Sequence, residues 1–263
     1  MQEHPHIIKL SPKKLKKYID AISIYKFDDF FNTTLYPKGT FEIVFQSHQQ
    51  FHHNTSYTKK WERRPMHFVG GLHHTHYNVK SVSVNNECLA VQFKPNAVKH
   101  FIDEKLHYFQ NELISINDLW GSKALTLADS VMAEVHQDKK IDLIEDFLID
   151  QFSQKSESAI DNAIELIHNS HGFIEIGDLS KKIGLSTSQF RKRFNEEIGI
   201  SPNKYCKIQR CHHIQHLLEH NKIESLTSLA YDLGYCDQSH FIKDFKSVIG
   251  ISPGKHNRKF QAL

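Results

Sequence analysis

The sequence is poor in cysteine, and the four it has, at positions 88, 206, 211 and 236, form neither a CxxC pair nor a ladder of short spacings. That excludes a disulfide framework and suits reduced thiols in a cytosolic protein. Long apolar runs are also missing. None approaches the roughly 18 residues of a membrane span, and no apolar segment follows Met1, so a signal peptide and a transmembrane helix are not expected and the localisation expected is cytoplasmic. The glycine-framed motifs GxSxG, GxGxxG and GxxxxGK[ST] are absent, and no paired carboxylates stand out. No catalytic residue and no cofactor is therefore expected, and function has to come from binding. Charge of one sign is scarce: the net charge is +3 over 263 residues. All of that excess lies from residue 159 onward, where 14 Lys and Arg face 11 Asp and Glu, as a nucleic-acid face requires.

What the chain does have is a repeat near its C-terminus. In LAYDLGYCDQSHFIKDFKSVIGISPGKHNR (229–258), Leu229, Ala230 and Leu233 share one face of a short helix that Gly234 ends. Asp237 is placed to cap a second helix whose inner stripe is Phe241, Phe245 and Ile249, and GISP closes the unit. LSKKIGLSTSQFRKRFNEEIGISPNKY (179–205) repeats it. Leu179 and Gly184 match at an offset of 50, and Phe190, Phe194 and the first GISP at 51, the extra residue falling in the turn. Helix, short turn, helix is the unit that seats its second helix in a DNA major groove.

Two such units, over roughly 158–260, resemble the DNA-binding domain of the AraC/XylS family of transcription regulators. Small departures are Ser180 and Ile214, where that family usually has alanine, and His256, where it often has tyrosine. Helices are expected at 159–168 and at 202–220, the second joining the two units. Residues 153–158, polar and without period, are expected as a linker, leaving 1–152 as an effector-binding or dimerisation domain. That half is expected to be β-rich, the α+β part of the chain before an all-α C-terminal domain. Phe41, Ile43 and Phe45 alternate as in a strand. Asn85-Asn86 suggests a hairpin between 79–84 and 88–93, while LKKYIDAI after Ser11-Pro12, 97–105, 125–136 and 141–152 suggest helices. The apolar stripe of Leu143, Ile144, Phe147 and Leu148 suits either core or a dimer face. YPKGTFEIVF, FVGG, FKPNAVKHFI and INDLWG are similar to one N-terminal subgroup of the family, implying a small cupin-like barrel with helices behind it.

On a helix, Phe190, Phe194 and Ile198 define a buried side and leave Ser188, Arg191, Lys192 and Asn195 on another face. The second helix repeats this with Ser239, Ile242, Lys243 and Lys246 outward and Gln238 at its start. The resemblance implies that bases are read from these positions. Arg191 suits guanine O6 and N7, Gln238 suits adenine N6 and N7, and Ile242 suits a thymine methyl; Lys192, Arg193, Lys243 and Lys246 suit phosphate as well as bases. The expected protein is thus a bacterial, sequence-specific DNA-binding regulator with operator DNA, a small-molecule effector, RNA polymerase and a second copy of itself as partners. The rivals are a metal-dependent cupin enzyme fused to DNA-binding helices and an architectural DNA-binding protein. Twenty histidines, clustered at His52-His53 and at His73, His74 and His76, raise the metal question. His74 and His76 would share a face of a strand, but the nearest following acid, Glu87, lies too far along for the metal-cupin spacing, so no metal site is expected.

Overall fold

The computed structural model describes residues 5–47, 51–55, 60–220, 223 and 225–261. The strands are β1 (His6–Leu10), β2 (Ile19–Phe27), β3 (Asn32–Leu35), β4 (Glu42–Gln46), β5 (Phe51–Thr55), β6 (Glu62–Arg63), β7 (Phe68–Gly70), β8 (Tyr77–Ser81), β9 (Asn86–Phe93) and β10 (Leu113–Ser115). An antiparallel sheet runs β1-β2-β9-β4-β7-β10, and a second runs β3-β8-β5-β6. In the first sheet the pleat sends Ile43 and Phe45 of β4 toward helices and Val44 and Gln46 toward the opposing sheet. The registers Val44↔Ala90 and Gln46↔Cys88 put a row of small or polar side chains on that second face. The two sheets therefore enclose a space rather than a packed layer.

Behind the first sheet lie α1 (Ile116–Trp120), α2 (Ser122–Ala133) and α3 (Gln137–Asp150). The stripe on α3 is core: Ile144 and Leu148 are buried, with Leu143 and Phe147 packed beside them. Then come α4 (Ala159–Asn169), α5 (Ile176–Lys182), α6 (Thr187–Ile198), α7 (Pro202–His220), α8 (Leu226–Asp232), α9 (Gln238–Ile249) and α10 (Pro253–Gln261).

Three local expectations are corrected. LKKYIDAI is not a helix: after one turn at Leu15 the chain enters β2, where Ile22 and Ile24 are buried at spacing two and paired to Val91 and Leu89. β-branched side chains suit that pleat. The turn itself is held by the buried Glu145 of α3, which accepts the backbone N–H groups of Lys13, Lys14 and Leu15 at 2.9, 3.1 and 2.9 Å. Asn85-Asn86 does not close a hairpin, since β8 is already flanked by β3 and β5, and β9 by β2 and β4. Asn85, at φ 56°, instead carries the chain from one sheet to the other. Residues 97–105 form no α-helix; Val98, Phe101 and Ile102 are buried by tight turns with a 3-10 helix at Val98–His100.

The helical C-terminal region rests on the β-rich half. Lys99 bridges Asp161 of α4 (2.8 Å) and Glu197 of α6 (3.3 Å). Both α6 and α9 end in a left-handed glycine that also touches this half. A Cβ on Gly199 (φ 96°) would lie 2.8 Å from the Leu106 carbonyl oxygen, and one on Gly250 (φ 85°) 2.6 Å from the His76 ring. Gly184→Ala, at φ 72° with nothing within 4 Å, carries only the backbone penalty of about 1–2 kcal/mol. Gly199→Ala carries that and the collision with the carbonyl, so thermal melting of the two variants is predicted to place Gly199→Ala clearly lower; equal melting temperatures would mean the contact is absent.

Candidate nucleic-acid interface and the cavity behind it

The two helix-turn-helix units match in backbone detail. In each, a seven-residue helix (α5, α8) leads through a glycine of positive φ, Gly184 at 72° and Gly234 at 79°, into a twelve-residue helix (α6, α9). Ser186 caps α6 with a reciprocal bond to Gln189, and Asp237 caps α9 by accepting the His240 N–H at 2.8 Å. Phe190, Phe194 and Ile198 are buried, as are Phe241, Phe245 and Ile249. The serine at position 180 is tolerated because its buried hydroxyl donates to the Gly177 carbonyl at 2.9 Å and meets Thr187 Oγ1 at 3.1 Å.

On α6, Ser188, Arg191 and Lys192 are exposed and Asn195 is half-buried. On α9, Ser239, Lys243 and Lys246 are exposed, Gln238 is half-buried, and Ile242 is half-buried against the core. The α6 set and Ser239, Lys243 and Lys246 of α9 lie on the outer sides of their helices, whereas Ile242 packs against the core and Gln238 stands at the start of α9, three residues before Phe241. The two units differ sharply at one pair of equivalent positions among several: Arg193 is exposed on α6, whereas Asp244 is buried on α9. Asp244 contacts Lys207 Nζ at 2.8 Å, an Arg210 guanidinium nitrogen at 3.3 Å and the Tyr235 hydroxyl at 3.3 Å. Arg210 also donates to the Gly172 carbonyl at 2.9 Å. This network ties α9 to α7 and to the turn after α4. A single acid inside a basic stripe gives no periodic signal, so its role was not readable from the sequence. Burial pushes the Asp244 carboxyl up, but Lys207 and then Arg210 outweigh it and hold the pKa below its ordinary value.

Between the sheets lies a cavity of about 490 Å³. Strands β2, β3, β4, β5, β8 and β9 line it, with Gly70 at the end of β7 and Gly71 beside them. So do His212 and Gln215 from α7. His212 Nε2 meets the Pro37 carbonyl, and a Cβ on Gly39 would lie 2.8 Å from Gln209 Nε2, so the 37–39 turn sits directly on α7. Arg64 and His73, both buried, face the cavity. The histidine pair at 74 and 76 is not on a strand: both lie in the bend before β8. His74 contacts Gln110, and the His76 backbone N–H donates to the Val248 carbonyl of α9 at 2.8 Å. No cluster of three metal-ligating side chains occurs among the described residues. Burial pushes the Cys88, Cys206 and Cys211 thiols up to about 12, 11 and 12, which makes them unreactive.

Residues 179–259 match the family model of a helix-turn-helix domain, and residues 10–115 that of a domain of unknown function. The Msm operon regulatory protein of Streptococcus mutans is 29% identical over 123 residues, 45% of this chain and 44% of that protein. The lactose operon transcription activator of Staphylococcus xylosus is 28% identical over 102 residues, 38% of this chain and 36% of that one. The matches thus span less than half the length of these relatives. Among solved structures, ToxT of Vibrio cholerae with a bound unsaturated fatty acid aligns over 97% of this chain and 99% of its own, at 12% identity and a TM-score of 0.49.

The Asp244 network predicts a pH signature. A carboxyl whose folded pKa is depressed contributes stability above its unfolded pKa and loses it as pH falls through the folded value. Asp244→Asn is therefore predicted to lower stability at pH 7 by about 1–3 kcal/mol and to soften the loss that the unaltered protein shows below about pH 4. Chemical denaturation at pH 7 and pH 3 reads both effects; equal stability at pH 7 would contradict the assignment.

Proposed function

We propose that this chain is an AraC-type, sequence-specific DNA-binding transcription regulator under the control of a small molecule held between its two sheets, a reading supported by the helix-turn-helix match over residues 179–259. The observation that carries this is the duplicated unit: two helices, each capped by a side chain at its N-terminus, with matching buried phenylalanines and a matching glycine exit, each presenting a polar, largely basic face. The nineteen residues of α7 span about 28 Å, close to one turn of B-DNA, so both helices can enter successive major grooves on one side of the duplex. Ser188, Arg191, Lys192 and Asn195 serve one half of the site, and Gln238, Ser239, Ile242, Lys243 and Lys246 the other.

The division of labour follows from the cavity. Residues 1–152 sense, 153–158 connect and 159–263 bind DNA. An occupant of the cavity touches His212 and Gln215, hence the helix that sets the spacing of the two recognition helices. Contacts with RNA polymerase and pairing with a second copy complete the reading. It has no catalytic step.

Operator variants test the interface. Arg191→Ala should lose about 1–3 kcal/mol on the preferred operator and relax preference at one or two base pairs of one half. Gln238→Ala should do the same in the other half. Lys246→Ala should weaken all sequences alike and reduce the salt slope by about one unit, as for a lost phosphate contact. The measurement is binding to single-base operator libraries at two salt concentrations. Loss of preference at the same base pairs in both alanine variants, or at none, would refute the assignment.

A further inference from the structure

The wall of the cavity holds a cation that has no counter-charge among the described residues. Arg64 is 7% exposed, and its Nε has no hydrogen-bond partner. Among the described residues no carboxylate lies within ion-pair distance of its guanidinium. Its neighbours are aromatic: the guanidinium carbon sits 4.5 Å from the Phe68 ring centroid and 6.0 Å from that of Tyr77. Cation–π contact offsets only part of the loss of hydration, and a buried charge is ordinarily paired. Glu42, the carboxylate in the cavity wall, has Lys38 at 3.9 Å and is balanced by it. Beside Arg64, His73 is 8% exposed, stacks on Tyr77 at 4.3 Å and leaves Nε2 without a partner. Burial first, then the Arg64 charge, keep this imidazole neutral, with its pKa near 3. Away from these two groups the lining turns apolar, with Phe27 and Phe31 stacked at 4.1 Å and Phe51 at 5.4 Å from Phe31.

We propose that the cavity takes a monoanionic ligand with an apolar, aromatic-sized body. Its head group supplies the missing counter-charge to Arg64, accepting from Nε, and meets His73 Nε2. Its body lies on Phe27, Phe31 and Phe51. This rests on the reading of the cavity as the sensor site and adds to it the charge and shape of what is sensed. A neutral ligand leaves Arg64 unpaired, and a cationic one adds a second buried positive charge.

The test uses the full chain and three matched probes, 4-phenylbutanoate, 4-phenylbutan-1-ol and 4-phenylbutylamine, each titrated near pH 7.5 and read by calorimetric binding and thermal melting. The acid is expected to bind and raise Tm with concentration, the alcohol about tenfold to a hundredfold more weakly, and the amine least. Arg64→Gln should abolish the preference for the acid, whereas Arg64→Lys should retain part of it. Without ligand, Arg64→Met should melt no lower than the unaltered chain, since it removes an unpaired charge. Equal binding of acid and alcohol, a preference that survives Arg64→Gln, or a lower Tm for Arg64→Met would overturn the proposal. If no probe binds, the anion inference fails. The cavity-filling variant Ala90→Phe then decides the wider reading, which survives if this variant alters operator binding and fails if it does not.

Discussion

The structure depends on the burial of α7 among three neighbours at once. An ordinary surface helix is apolar along one stripe; α7 buries Tyr205, Cys206, Ile208, Cys211, Ile214 and Leu218, which do not fall on one stripe. Tyr205 is fully buried, meets His168 Nε2 at 2.9 Å and packs its ring 5.6 Å from Phe194, which fastens the first unit. Lys207, Arg210 and Cys211 hold Asp244 and so fasten the second. His212, on yet another side, meets the β-rich half. A helix gripped on so many sides cannot shift against one partner without disturbing the others, because close-packed interiors transmit displacement.

From that constraint the division of the molecule follows. Helices α6 and α9 are positioned twice over, by α7 from within and by the β-rich half at their glycine exits, Gly199 on Leu106 and Gly250 on His76. The cavity borders the same helix, so whatever fills it touches a part packed against both α6 and α9. This is a physical route from ligand to DNA that needs no long relay.

The C-terminal architecture was legible in the sequence because its determinants are local. Asp237 caps a helix three residues away, Gly234 and Gly250 end helices by their own conformational freedom, and phenylalanines four apart mark the inner face. The β-rich half was legible only in outline. Its pairings join segments far apart, so Ile22 against Val91 outweighed the helical look of LKKYIDAI, and the partners already held by β8 and β9 ruled out the hairpin suggested by Asn85-Asn86. The exposed side chains of α6 and α9 could be picked out from spacing, whereas Arg64 could not. Its meaning lies in having no acidic neighbour within ion-pair distance among the described residues, and no local pattern encodes that.

The central claim is that two equivalent recognition helices, held one DNA turn apart by α7, read one face of the duplex. Hydroxyl-radical footprinting on an operator selected from a random pool measures it most directly. The account predicts two protected patches about 10 bp apart on the same face, each with its own sequence preference. A single patch, or protection indifferent to sequence, would contradict it.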